Sequence, residues 1–195
     1  MKSFAIKLTL CALALAALPV NCLGKRHDLP PDPKFLAIDR IAIIPTVDLR
    51  AGKKDNVNLE KLEKTAEGIL KRKNYSATQS GSQGVTGEIA EEDLNDAKPE
   101  WVRRLGPPDA RWVMVLGLND VHSKLSFGST GNAEVVGFLF DKQDGSTLWK
   151  GTGIGQAGQG GLLGMAMKGA MSEAAIETAV ANLLSTIPKL PRKGK

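Results

Sequence analysis

The sequence predicts a single three-layer α/β domain, a mixed sheet of about five strands with helices packed against it. Three observations carry that expectation. Short β-branched apolar runs alternate with amphipathic helical stretches through the first half of the chain. Three strand signals then follow one another, with an Asp-Gly turn before the last, so the C-terminal three strands are expected to be antiparallel. A final stretch places Ile176, Val180, Leu183 and Ile187 on one helical face, a helix that packs back on the sheet.

The chain opens on a different kind of segment. Lys2 and Lys7 form a basic start, and Leu8 to Val20 (LTLCALALAALPV) is uncharged and apolar before Lys25-Arg26. A basic n-region, an apolar h-region and a small-residue cleavage zone make residues 1–24 a signal peptide. The apolar run is shorter than the roughly 20 residues a stable membrane span requires. Cleavage falls before Cys22 or after Gly24. Cys22 stands where a bacterial lipoprotein carries its lipidated cysteine, although Pro19-Val20-Asn21 departs from the usual lipobox. Cleavage after Gly24, with Cys22 and Gly24 as the small recognition residues, is the other reading.

Residues 25–37 (KRHDLPPDPKFLA) read as a Pro-rich extended spacer. The domain spans 38–188. Ile38 to Pro45 (IDRIAIIP) is the first buried strand, closed by proline. Asn58 is placed to cap a helix whose Leu59, Leu62, Ala66, Ile69 and Leu70 share a face, while Lys61, Glu63, Lys64, Glu67 and Lys71 form a solvated side. Tyr75 to Thr78 reads as a short strand, and Gln79 to Gly87 as a polar Gly-rich loop. Two short helices are expected at 90–97 and 100–105, around Pro99.

Arg111 to Asn119 (RWVMVLGLN) is almost continuously apolar, as a central strand buried on both faces is. Val121 to Asn132 is polar enough to predict a mobile hairpin end. Ala133 to Phe140 and Ser146 to Lys150 are the remaining strands, joined through Asp144-Gly145. Gly151 to Gly164 is a Gly-rich tract that reads as a hinge into the closing helix, which Pro188 stops. Residues 189–195 form a basic tail.

Composition narrows the function. Removing Lys2 and Lys7 leaves 24 basic residues against 21 acidic, a net charge of +3 without a basic stripe interleaved with aromatics, so nucleic acid is not an expected partner. Cys11 lies in the h-region and Cys22 is lipidated or removed, so the mature domain has no cysteine and relies on an ordinary core. An apolar content of 42% suffices for one.

The catalytic inventory is thin, and neither an enzyme activity nor a catalytic, cofactor or metal site is assigned. His27 and His122 stand apart from each other and from cysteine, which gives zinc no ligand set. Asp48, Asp120, Asp141 and Asp144 fall at strand ends, where aspartate commonly bonds turn backbone. Gly153-Ile154-Gly155-Gln156-Ala157-Gly158 spells G-x-G-x-x-G. It follows the last strand instead of opening a βαβ unit, so it is set aside as a dinucleotide motif. The sharper signal is the small, apolar tract Gly160, Gly161, Leu162, Leu163, Gly164, Met165 and Met167, a candidate interaction segment. Ala166, Ala170 and Ala174 recur every fourth position, which allows close helix approach.

Taken together, the signal with Cys22, the strand IAIIPTVD, the Leu59–Leu70 helix leading to Asn74-Tyr75, the strand RWVMVLGLND, the hairpin FDKQDGSTLWKG and the Gly-rich tract resemble a superfamily of small bacterial envelope lipoproteins. It includes the curli-secretion channel lipoprotein, the penicillin-binding-protein activator lipoproteins and lipoproteins of unassigned function. The resemblance implies a domain like the N-terminal domain of TolB. It further implies non-enzymatic work through an envelope protein partner or self-association, at the periplasmic side of the outer membrane if lipidated and otherwise periplasmic or secreted. The alternative is a soluble periplasmic small-ligand-binding module or hydrolase, with a pocket between Val121–Asn132 and the Gly-rich tract.

Overall fold

The computed structural model describes residues 33–52, 57–81, 89–126, 128–160 and 168–192. In chain order the elements are α1 (Pro33–Leu36), β1 (Arg40–Ile43), β2 (Val47–Asp48), α2 (Leu59–Arg72), β3 (Ser76–Gln79), α3 (Glu91–Asn95), α4 (Pro99–Val102), β4 (Trp112–Ser126), β5 (Gly128–Asp141), β6 (Ser146–Gly160) and α5 (Lys168–Ser185). They build one α/β domain around a mixed six-stranded sheet of order β3-β1-β4-β5-β6, with β2 also pairing β4. β1 runs parallel to β3 and β4, and β4, β5 and β6 are antiparallel. This is the predicted mixed sheet with one strand more.

The extra strand follows from Pro45. Ile44 still donates its N–H to Met114 O, but proline has no N–H for the ladder. Pairing resumes along the same neighbour at Val47↔Gly117 and Asp48↔Leu118. Between the two stretches, the Thr46 amide is buried and donates to the Glu63 carboxylate at 2.8 Å. Glu63 was expected on the solvated side of α2 and is in fact buried. A buried backbone donor that the strand cannot satisfy draws a carboxylate inward.

Strand residues alternate between two apolar layers. Ile41, Ile43, Met114, Leu116 and Leu118 meet Leu62, Ala66 and Leu70 of α2 and Ala175, Ala179 and Leu183 of α5. Ala42, Ile44, Val113, Val115, Phe138 and Phe140 meet Leu94, Val102 and Leu105 around α3 and α4. Both faces of β1 and of the first half of β4 are thus covered, which is why those runs are continuously apolar.

Other differences sit at the margins. The described end of the spacer is not extended: Pro33 opens one helical turn and buries Phe35, consistent with proline's fitness for the first helical position. The beginning of the tail is docked, with Leu190 buried and its N–H donating to Lys73 O. Helix α5 ends at Ser185, yet Ile187 remains in the core.

The largest departure is the length of the hairpins. Val121–Asn132 was expected as a mobile end, but its described residues continue the β4–β5 ladder through His122↔Asn132 and Lys124↔Thr130. Gly151–Gly160, expected as a hinge, is the second half of β6 and pairs with β5 up to Gly128↔Gly160.

Candidate functional site

The glycines of β6 alternate at Gly151, Gly153 and Gly155, so they share the sheet face beneath α5. A Cβ on Gly153 would strike Ala179 O, and one on Gly155 would strike Ala175 O and Ala179 N. On β5, a Cβ on Gly131 would meet Met171 O. These positions are bare so that the helix backbone can lie directly on the strands. Gly153 and Gly155 of the G-x-G-x-x-G spelling therefore seat α5, while Gly158 lies on the other face. The helix residues that make the close approach are Ala175 and Ala179, one register away from the predicted series. Ala170 of that series is exposed, and Ala166 lies outside the described residues.

The same strands turn their other face outward. Asp120, His122 and Lys124 of β4, Thr130, Asn132 and Glu134 of β5, and Thr152, Ile154 and Gln156 of β6 form an open three-strand surface. No residue of this upper surface belongs to the α3–α4 core layer that covers the lower half. Ile154, on the outer strand of this surface, is 61% exposed, one of two large hydrophobics so placed among the described residues. β6 is also an edge strand, with no described strand on its outer side. Part of that edge is occupied from α5, where Asn182 Nδ2 donates to Ile154 O at 2.8 Å. Gly160, the first residue of the predicted interaction tract, ends β6. Gly161, Leu162, Leu163, Gly164, Met165 and Met167 lie outside the described residues, as does Cys22.

On the open face, His122 Nδ1 lies 2.9 Å from Asp120 Oδ2, both side chains half exposed. Asn119 Nδ2 donates to Glu134 Oε1 at 3.1 Å. These groups are spread along the paired strands of the ladder. The remaining aspartates have structural partners. Asp48 takes Arg50 at 2.8 Å, and buried Asp141 accepts from Arg111 Nη2 at 2.7 Å and from the Gln143 N–H. Asp144 accepts from the Ser146 hydroxyl and amide, which hold its carboxyl below the ordinary carboxylate range. Among the described residues no group of three His, Cys, Asp or Glu side chains could hold a metal ion.

Charge fixes the helices that flank the site. Lys61 Nζ bridges Glu173 at 2.7 Å and Glu177 at 2.9 Å, tying α2 to α5, and the two carboxylates raise its pKa above the ordinary lysine value. Tyr75 donates its hydroxyl to Pro188 O at 2.8 Å just past α5, and burial pushes its phenol up.

A ligand pocket was expected between Val121–Asn132 and the Gly-rich tract. Among the described residues, Val121–Asn132 and Gly151–Gly160 enclose no pocket between them; the rest of the Gly-rich tract, 161–164, lies outside the described residues. β5 pairs with both neighbours and zips these segments into one surface. Nothing in the pattern of the chain could have shown this without the helix position, because an alternating Gly strand reads as a flexible loop until something lies on it.

No protein-family model and no curated protein matches the chain. Among solved structures, it is similar to the PelC dodecamer from Paraburkholderia phytofirmans, at 15% identity and a TM-score of 0.45, covering 75% of this chain and 86% of that one. It is also similar to lipoprotein GNA1162 from Neisseria meningitidis, at 18% identity and a TM-score of 0.43, covering 68% and 94%. A minor lipoprotein from Acinetobacter baumannii gives 10% identity and a TM-score of 0.42, covering 80% and 98%. Two of the three are lipoproteins by name.

Proposed function

We propose that the chain is an exported bacterial envelope lipoprotein, anchored through Cys22, that works non-enzymatically as an interaction or assembly factor. The observation that supports this is the open face of β4–β6, with Ile154 exposed on its edge strand, which leads in sequence to the Gly160–Met167 tract. A polar surface with an exposed apolar residue on an edge strand suits a protein partner or a second copy of the chain. Its place is the periplasmic side of the outer membrane when lipidated.

Two measurements test the reading. Lipid labelling with membrane fractionation compares wild type with Cys22→Ala; label and membrane retention are expected only for wild type. Equal soluble release of two unlabelled proteins sinks the anchor. A photocrosslinking residue at Ile154 is expected to give a defined adduct, and one at exposed Lys64 on α2 none. Equal adducts from both positions, or none from Ile154, sink the interaction face.

A second reading has an observation of its own. A cleft beside Arg111, at the opposite end of β4, favours a soluble periplasmic small-ligand-binding module or hydrolase.

A further inference from the structure

The cleft beside Arg111 has a volume of about 330 Å³ and is lined by Arg103, Arg111, Lys142, Gln143 and Asp109. Three cations and one carboxylate face it. That carboxylate is already engaged, since Asp109 Oδ2 accepts from Arg40 Nη2 at 2.6 Å, which also holds the Asp109 carboxyl below its ordinary range. The cations are less satisfied. Arg103 makes no ion pair among the described residues. Lys142 Nζ has a neutral partner, Pro107 O at 2.7 Å, and burial lowers its pKa. Arg111 uses Nε and Nη2 on Asp141 and lies over the Trp112 ring, which leaves Nη1 without a hydrogen-bond partner among the described residues. Asp39 and Asp144 also act on Arg111.

The scaffold under these side chains is ordered by its own hydrogen bonds. Arg103 follows α4, and its N–H donates to Pro99 O. Lys142 N–H donates to Arg111 O at 2.9 Å, and Gly145, at a φ of 76°, donates to Asp141 O to close the turn. These bonds fix the backbone from which the three side chains project.

We propose that this cleft is a binding site for a phosphate group, on a phospholipid headgroup or on a small soluble phosphoester. The Arg103 guanidinium, the remaining Nη1 of Arg111 and the Lys142 ammonium line one cavity, a set of donors that suits a compact oxyanion with several acceptor atoms. The volume admits a phosphate with a small substituent. The headgroup source has a positional argument. Lys34 of α1 lines the adjoining hollow with Arg111, so the chain from Cys22 enters at this end. The eleven residues from Cys22 to Pro33 reach at most about 35–40 Å when extended, which allows the cleft to face the membrane surface. This inference goes beyond the interaction reading and does not depend on it.

The test uses the full chain at low ionic strength. Glycerol phosphate and inorganic phosphate are titrated by calorimetry, and sedimentation compares vesicles of phosphatidylcholine alone with vesicles that also contain phosphatidylglycerol. A lipid anchor contributes equally to both vesicle types, so their difference reports the headgroup. Saturable binding of one phosphate per chain is expected, weakened about tenfold by Arg103→Gln and unchanged by Lys64→Gln, which removes an equal charge from α2. Unchanged circular dichroism of Arg103→Gln excludes misfolding as the cause. Preference for phosphatidylglycerol vesicles, competed by glycerol phosphate, identifies the headgroup; binding of glycerol phosphate without vesicle preference identifies a soluble ester. No saturable binding of either, or equal loss in Arg103→Gln and Lys64→Gln, overturns the site.

Discussion

Replacing Gly155 with alanine tests whether the Gly-rich second half of β6 is a seat for α5. The added Cβ would strike Ala175 O and Ala179 N and lie 3.0 Å from Ala175 C. All are helix backbone, so no rotamer change relieves the overlap, and α5 must lift from the sheet. Overpacking of this kind costs about 1–3 kcal/mol, and the backbone clash places it in the upper part of that range. Removing a strand glycine returns about 0.5–1 kcal/mol through the unfolded chain. The net expectation is a loss of about 2 kcal/mol, a Tm lower by about 4–8 °C for a domain of this size. Gly158→Ala is the matched control. It lies on the open face, where a Cβ makes an ordinary contact with Thr130 Cγ2 at 3.5 Å, so its Tm is expected to stay level or rise. Differential scanning calorimetry of the two variants and wild type decides the matter. A Gly155→Ala protein at or above the wild-type Tm, or two variants shifted alike, refutes the seat.

Thr46→Val removes a buried hydroxyl that has no hydrogen-bond partner among the described residues and keeps its shape, so urea unfolding should show stability level with wild type or higher by up to about 1 kcal/mol. A clear loss would mean that the hydroxyl is satisfied. Arg111→Ala strips the bidentate partner from buried Asp141 and should lower the urea midpoint more than Arg103→Ala, which breaks no ion pair; equal midpoints refute the pairing. Glu67 has its carboxyl held below the ordinary 4.5 by hydrogen bonds from Lys71 and then Gln79. Its contribution is therefore present above the ordinary value and lost as pH falls through the lowered folded one. Glu67→Gln should flatten the fall in urea midpoint below pH 4.5, and an unchanged slope counts against the pairing.

Where a residue's environment follows from its own neighbours in sequence, the sequence was sufficient. The β1 run, the α2 face and the first half of β4 are legible because apolar periodicity reports burial directly. Glu63 was misread because its environment is set by Thr46, seventeen residues away, where Pro45 interrupts the ladder. Gly151, Gly153 and Gly155 were misread for a related reason. Glycine signals freedom in isolation and close approach when paired with Ala175 and Ala179, and only the tertiary arrangement distinguishes the two. The cationic cleft was invisible in the sequence because Arg103, Arg111 and Lys142 come from three separate segments.

The two surfaces lie at opposite ends of one strand. β4 starts beside the cleft at Trp112 and ends at Ser126 beyond the open face, and fifteen residues of strand span roughly 45–50 Å. Among the described residues, the lower half of the sheet is covered on both faces and the upper half by α5 alone, so the described part of the domain is thicker at the cleft end than at the open-face end. If the cleft takes headgroups, the open face stands away from the bilayer, and a partner reaches Ile154 without displacing lipid. If it takes a soluble phosphoester, that orientation has no physical cause, and the open face is equally available in any orientation. The vesicle comparison therefore bears on both proposals: headgroup binding predicts that a crosslinker at Ile154 reaches protein and not lipid, while adducts to lipid at that position would place the open face on the membrane and reverse the molecule.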